Sequence, residues 1–545
     1  MVLAAVGLTA CGEAPGREQR QWRVSSGDRG GTRYSSLDQI DRTNVRSLEP
    51  AWIFHTGDMR RAPASTIQCT PIVIDGTMYL TTAGLKVVAL EARSGRKIWE
   101  FDPFEGRRAW GTNRGVTYWG EGDEKRIFTT AGSFLYALDA ESGRPIPRFG
   151  DGGRIDLREG LDRDVSSLSV AATSPGIVFE DLLILGSAVG EGPTPAAPGH
   201  VRAFDVRTGE RRWIFHTIPH PGEPGYETWP PEAWTTAGGA NAWGGLTLDD
   251  ERGLVFFGTG SPSYDHWGGN REGQNLYGNS VVALRARTGA RVWHFQAVHH
   301  DLWDYDLPCP PVLVSVRHGG QRRAAVAQTT KVGHLFVLDR ETGTPLFPVE
   351  ERPVPRSEVP GETSWPTQPF PLKPPPFAEQ RFTEDEVTDL SPESRQAILE
   401  RLAGMRTGDV FLPPGPTPSV MLPQFNGGAE WGGSAFDPES GLLYVNASNE
   451  AEWISMVPAR LPDRMTLGEI GRRLFASSCS ACHDMSQGDA PTPNSASETT
   501  VTSLEGLKGR SSRKELESLM TTGRGQMPAF ASLSSLERRS LSAFL

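Results

Sequence analysis

The chain has 545 residues, room for more than one domain or for one large all-β unit. Its 61 glycines, 43 prolines and 15 tryptophans suit many short strands joined by turns. A formal net charge of -11 argues against a nucleic-acid partner, which would want a basic face, and with no apolar run of about eighteen residues no transmembrane helix is expected.

Met1 to Ala10 is apolar with no basic residue ahead of it. It reads as the apolar part of an export signal lacking its basic start, or as an apolar tail. Leu8-Thr9-Ala10-Cys11 before Gly12 resembles the lipobox of bacterial lipoproteins, which implies a lipid anchor at Cys11. Residues 1–21 are set aside as signal remnant and tail, and the protein is expected in the periplasm.

Internal repeats carry the architecture. Ala89 to Gly95 leads to Trp99, Ala203 to Gly209 leads to Trp213, and Ala283 to Gly289 leads to Trp293. Weaker copies run from Ala137 through Gly143 to Pro147 and from Val337 through Gly343 to Phe347. Each copy is a strand, a tight Ser/Thr-Gly turn and a second strand, with glycine supplying positive φ at the turn. Leu48 to Phe54, with Trp52, looks like a lone second strand. Trp243-Gly244-Gly245 and Trp431-Gly432-Gly433 share an Asp and a Gly at the same following steps, Asp249 and Gly253 in one, Asp437 and Gly441 in the other. The pattern is that of a β-propeller, in which rings pack between neighbouring sheets.

Val298 to Asp306 packs three carboxylates, two imidazoles and two aromatic rings into nine residues. So many charges among large rings suit the floor of a polar site, or a strand-end loop whose aspartates bond backbone amides. His299 and His300 read as supporting groups or as packing. Arg352 to Phe377 is Pro-rich and is expected as extended loop rather than sheet, a cap over the central site. A short helix follows, with Ser391 as cap, Pro392 at its first position, and Ala397, Ile398 and Leu402 as its apolar face.

Residues 459–545 form a separate unit. Cys479-Ser480-Ala481-Cys482-His483 has the spacing of c-type haem attachment, with His483 as proximal ligand. Gly471 and Phe475 sit at helical spacing upstream. Met527, in Gly525 to Phe530, is the candidate second axial ligand, and Ser534 to Leu545 reads as a closing helix. Cys69 and Cys309 have no sequence signal for pairing.

Residues 22–458 resemble the pyrroloquinoline quinone (PQQ) dehydrogenases, above all the membrane-type glucose dehydrogenases. The resemblance rests on Gly30 to Ser35, Asn113 to Trp119, the acidic stretch, and Lys331 to Arg340. It implies a mainly β fold, an eight-bladed propeller, joined to a small all-α cytochrome c domain. It implies Asp301 as the base that takes the substrate hydroxyl proton, and Lys331 as the cation on the quinone oxygens. Trp243 would stack under PQQ, Arg114 would contact its polar edge, and Thr173, Trp110 and Trp431 would complete the contacts. Trp110 stands where glucose dehydrogenases carry a His. Glu191 and Asp301 would bind calcium or magnesium, with Ser261 where methanol dehydrogenase has an Asn.

The resemblance thus implies a periplasmic quinohaemoprotein dehydrogenase. It would oxidise an alcohol, polyol or aldose and pass electrons through PQQ and haem c to an external acceptor such as a cytochrome or quinone. The competing readings are a non-catalytic propeller scaffold and an electron-transfer protein. The repeats fall short of eight blades, so the propeller is expected to be incomplete at its C-terminal side, as a fragment or as one of two chains.

Overall fold

The computed structural model describes residues 21–458, apart from 62–63, 108, 110, 167 and 193–194. Further on it describes 466–478, 483–484, 502–503, 511–522, 530, 533 and 535–545. The chain divides into two compact units, Met1–Met456 and Val457–Leu545.

The first unit is built of successive antiparallel meanders. The first blade pairs Ile72–Ile74, Thr77–Thr81, Val87–Glu91 and Lys97–Phe101 in chain order. Three more four-stranded blades begin at Thr117–Glu121, Ile177–Phe179 and Leu246–Asp249. A three-stranded fifth blade begins at Val312–His318, and a hairpin of Ser434–Asp437 and Leu442–Val445 follows. Inner strands are largely buried; Val201–Asp205 is buried at every position, Arg202 and Asp205 included. Outer strands bury little but their ring: in Lys97–Phe101 only Trp99 is buried. The core lies between sheets, where Ile184, Ala203 and Trp213 of the third blade meet Val255, Val282 and Leu284 of the fourth.

The repeated Trp and Gly explain each other. Trp99 Nε1 donates to Ala140 O, Trp213 Nε1 to Ala286 O and Trp293 Nε1 to Arg340 O. Each ring lies flat on the turn glycine of the next blade, so a Cβ at Gly143, Gly289 or Gly343 would fall 2.5–2.6 Å from ring atoms. Those glycines also have φ near +70°, where other residues are strained. Two independent reasons therefore hold glycine there. Trp52 docks likewise on Gly95, donating to Ala92 O. The second blade has no such ring, and Ile155 lies against Gly209 instead.

The Pro-rich excursion differs from the expectation. Val349–Pro353 and Thr367–Pro371 pair as an antiparallel ribbon. Proline is tolerated there because a two-stranded ribbon leaves outward-facing positions free of ladder bonds. The helix Pro392–Leu402 is present, with Ser391 Oγ accepting from Ser394 N at 3.1 Å. Its apolar face is Ile398, Leu399 and Leu402, packed on Phe382, Val387, Val420 and Leu422. Ala397 is exposed instead. Cys69 and Cys309 are free thiols.

The second unit contains helices Leu467–Ser478, Arg513–Thr522 and Ser535–Phe544. Phe475, Leu516, Met520 and Leu541 form its core. The first and last helices touch at Gly471, where a Cβ would meet Ser540 O, so only glycine permits the crossing. Cys479, Cys482 and Met527 lie outside the described residues, and of His483 only the backbone is described, paired in a short strand. Among the described residues no helix is long and apolar enough to cross a membrane.

Candidate active site

The acidic stretch runs out of the fourth blade's last strand, Arg291–Gln296, into the fifth blade. Its two halves have different surroundings. Asp301 is fully buried, and both of its carboxylate oxygens are taken. Oδ1 accepts from Trp303 N at 2.8 Å. Oδ2 accepts from Tyr305 N and from Asn279 Nδ2, each at 2.7 Å, and from the Ser261 hydroxyl. Burial raises its pKa against these bonds. The sequence reading put Asp301 beside Lys331 as base and metal ligand. The structure instead makes it the knot that ties the stretch together.

Asp304 occupies the place expected of Asp301. Its Oδ2 accepts from Lys331 Nζ at 2.9 Å. Asp306 Oδ2 lies 3.4 Å from the same ammonium and accepts from Trp243 Nε1 at 2.8 Å, while its Oδ1 accepts from Ser261 N at 2.6 Å. Burial alone would lower the Lys331 ammonium; Asp304 and Asp306 outweigh it and hold it above the ordinary lysine range. Burial, with repulsion from Asp306 and Asp265, pushes the Asp304 carboxyl upward against the attraction of Lys331. Both shifts are upward, one favouring a charged lysine and the other a neutral carboxyl. Lys331 is the charged member, because several acids surround it.

The neighbourhood is overcharged. Burial, then Asp306 and Glu191, push Asp265 up to about 9. Burial and Asp306 also raise Glu191, which opens to solvent, and burial raises Glu430. Among the described residues no donor takes an oxygen of Glu191 or Asp265, or the second oxygen of Asp304. Carboxylate oxygens without donors are of the kind a hard divalent cation takes, although Glu191, Asp265 and Asp304 do not bring one oxygen each within 4.8 Å of one another. Ser261, expected as a ligand, turns its hydroxyl to Asp301.

Arg114 and Trp243 form the adjoining wall. The guanidinium sits 5.1 Å from the Trp243 ring centroid and 5.0 Å from that of Trp431, and Lys331 Nζ is 5.9 Å from the Trp243 centroid. Arg114 Nη1 donates to Thr173 Oγ1 at 2.8 Å, and Trp243 O accepts from Ser174 Oγ at 2.7 Å. The structure thus gathers Arg114, Thr173, Trp243, Trp431 and Lys331. Arg114 Nε is buried without a partner, and burial lowers its pKa to about 10. An orphaned cationic donor beside a flat aromatic face fits a planar polycarboxylate such as PQQ. Gly427 lets the backbone approach, since a Cβ there would meet the Lys331 side chain 2.5 Å away. Trp110 lies outside the described residues. A separate cavity of about 980 Å³, lined by Arg29, Tyr118, Asp249 and Arg340, includes none of these groups.

One residue behind the stretch has no sequence signal. Gln368, fully buried on the Pro-rich ribbon, accepts from His299 N at 2.8 Å and donates to His299 O at 2.7 Å. The excursion therefore braces the stretch from behind. His299 bonds Gln296 and Glu351, and His300 bonds Gly273 O, so both are packing groups. Asp304 had a signal that was passed over: it alternates with Trp303 and Tyr305, which places it with Asp306, on the side opposite the rings.

Comparisons with known proteins give the family. The family model for the glucose/ethanol/alcohol dehydrogenase beta-propeller domain matches residues 22–502. A model for cytochrome C oxidase, cbb3-type, subunit III matches 467–545. The chain is 32% identical over 471 residues to the quinate/shikimate dehydrogenase (quinone) of Acinetobacter baylyi, covering 81% of this chain and 58% of that one. It is 31% identical to the quinoprotein glucose dehydrogenase of Escherichia coli, covering 78% and 56%. Among solved structures, quinohemoprotein alcohol dehydrogenase from Comamonas testosteroni matches with a TM-score of 0.59 and 27% identity, over 79% of this chain and 58% of that one. The chain spans somewhat over half the length of these relatives. By its propeller, its repeated docking rings and these matches, the chain belongs to the PQQ-dependent quinoprotein dehydrogenase family, with a cytochrome-type unit at its C-terminal side.

Proposed function

We propose that this protein oxidises a hydroxyl group of an alcohol, polyol or aldose with PQQ as cofactor, and that electrons leave through a haem c on the second unit to an external cytochrome or quinone. One observation carries the reading: Asp304 and Lys331 form a nearly buried acid–base pair against Trp243, with the unpartnered Arg114 Nε beside it. PQQ, when bound, supplies a quinone carbon that accepts a hydride. Asp304 accepts the hydroxyl proton. Lys331 stays charged and directs its remaining N–H groups to the cofactor's oxygens. Arg114 binds a cofactor carboxylate, and Trp243 offers the stacking face.

Glu191, Asp265 and Asp304 would hold calcium or magnesium. The cation would bring Asp304 back to its ionised, basic form. In the second unit, Cys479 and Cys482 would attach the haem and His483 and Met527 would ligate its iron, and the haem would supply one-electron transfer. The propeller works in the periplasm in this reading, with a lipid anchor at Cys11.

The test is reconstitution of the full chain with PQQ and calcium, followed by dye reduction over a panel of alcohols, polyols and aldoses. Dye reduction that needs both PQQ and the cation is the expected result. A chain that retains PQQ but oxidises no hydroxyl compound would overturn the reading.

A further inference from the structure

At the edge of the third blade lies a second cluster of ligating side chains that shares no residue with the Asp304–Lys331 site. His200 immediately precedes strand Val201–Asp205, and His216 immediately follows strand Arg211–Phe215. Val201 pairs with Phe215, so the two histidines are cross-strand neighbours one step beyond the ladder. His220 follows in the turn between Pro219 and Pro221, and Asp162 comes from the loop after the second blade. One ligating atom from each of Asp162, His200, His216 and His220 lies within 4.8 Å of all the others.

His216 is the key to the cluster. Its Nδ1 faces Glu223 Oε1 at 2.8 Å and its Nε2 faces Asp162 Oδ2 at 3.0 Å. A neutral imidazole has one N–H, so it can donate to only one of two carboxylates. Either the ring carries an extra proton, or a cation stands between Nε2 and Asp162. Glu223 also accepts from His220 N through Oε2 at 2.8 Å. Glu223 thus orients the His216 ring, an arrangement of the kind that fixes the tautomer of metal-ligating imidazoles, while its other oxygen holds the His220 backbone.

His200 plays a different part. Only 2% exposed, it accepts from Thr217 N through Nδ1 at 3.1 Å. Its neutral ring therefore carries its proton on Nε2, which disfavours ligation by that nitrogen. It forms the floor of the cluster. The rings of His216 and His220 stack at 3.9 Å, and loading an ion would tilt them apart.

We infer that Asp162, His216 and His220 form a binding site for a borderline divalent cation of the zinc type, oriented by Glu223 and floored by His200, with its fourth place open to solvent. Two imidazoles and one carboxylate suit zinc, nickel or copper, and suit calcium poorly. The site is chemically distinct from the all-oxygen group at Glu191 and Asp265.

The test uses the full chain saturated with calcium, so that oxygen-rich sites are filled, and zinc as the probe. Zinc retained after dialysis is counted per chain for the parent and for the double variant His216→Ala/His220→Ala. The difference is expected to be about one zinc per chain, which also subtracts uptake elsewhere. His220→Ala alone, a turn residue whose loss spares the core, is expected to remove the zinc-dependent rise in melting temperature. Glu223→Gln is expected to weaken zinc binding about 10- to 100-fold, and Asp304→Asn to leave it unchanged. Equal zinc content in parent and double variant, or a zinc-dependent rise that survives His220→Ala, would overturn the assignment.

Discussion

The acidic stretch has a front and a back, and they do opposite work with the same residue type. At the back, Asp301 is saturated by two backbone amides, an amide side chain and a hydroxyl, and Trp303 and Tyr305 point away into a sealed core. Trp303 Nε1 reaches Leu412 O and Tyr305 Oη reaches Pro423 O, each at 2.9 Å. At the front, Asp304 has one oxygen on Lys331 and one without a donor. A carboxylate with every lone pair engaged is a structural anchor. One with a free oxygen, an ammonium and an overcharged neighbourhood is reactive. The count of engaged oxygens, more than burial, separates the two roles.

The largest test of that contrast is Asp304→Asn. It should lower turnover by at least about two orders of magnitude, as loss of a general base does, while the melting temperature stays near the parent's. Turnover within threefold of the parent would remove Asp304 from the chemistry. Asp301→Ala should do the reverse. It strands the buried Trp303 and Tyr305 amides, each at a cost of about 1–3 kcal/mol, which urea unfolding would register. A variant as stable as the parent but inactive would exchange the two roles.

A smaller effect is expected from Gln368→Leu, which breaks both bonds to the His299 backbone. Unfolding should show a loss of about 1–3 kcal/mol for the stranded groups, with a milder fall in activity than Asp304→Asn gives. No change in either would mean that the ribbon does not brace the stretch.

The smallest effect is pH-dependent. His334 packs behind the stretch against Phe370 and Phe411, and burial lowers its pKa to about 4. The folded protein therefore resists protonating it while the unfolded chain does not. Its contribution to stability is complete above the ordinary histidine value of 6.5 and is lost as pH falls from there towards 4. The acid-dependent fall in melting temperature should be shallower in His334→Phe. Identical slopes would exclude this histidine as the source.

Much of this was legible in the sequence. Trp99, Trp213 and Trp293 with their turn glycines give the propeller, because docking constrains both partners at fixed spacing. Lys331, Trp243, Arg114 and Thr173 do converge. The sequence points to Asp301, whereas the structure sets Asp304 beside Lys331, because composition weighs all three carboxylates alike. Only the alternation of Trp303 and Tyr305 with the acids could have separated them. Gln368 was illegible: an amide in a Pro-rich run shows no periodicity, and its partner, the His299 backbone, lies 69 residues away. Asn279 and Asp265 were missed for a similar reason, since each acts through tertiary proximity alone.

The docking of each ring on the following blade has a consequence for how the chain is made. Trp52, Trp99 and Trp293 reach forward 40, 41 and 47 residues to their acceptors, and Trp213 reaches 73. Loop-closure entropy grows only logarithmically with length, by roughly 0.6 kcal/mol per doubling, so even the longest span adds little to the barrier. Each blade can therefore be fastened as soon as the next turn glycine is within reach. The propeller can assemble vectorially from its N-terminal side as the chain emerges into the compartment where it folds, with each tryptophan locking a sheet before the whole ring is present.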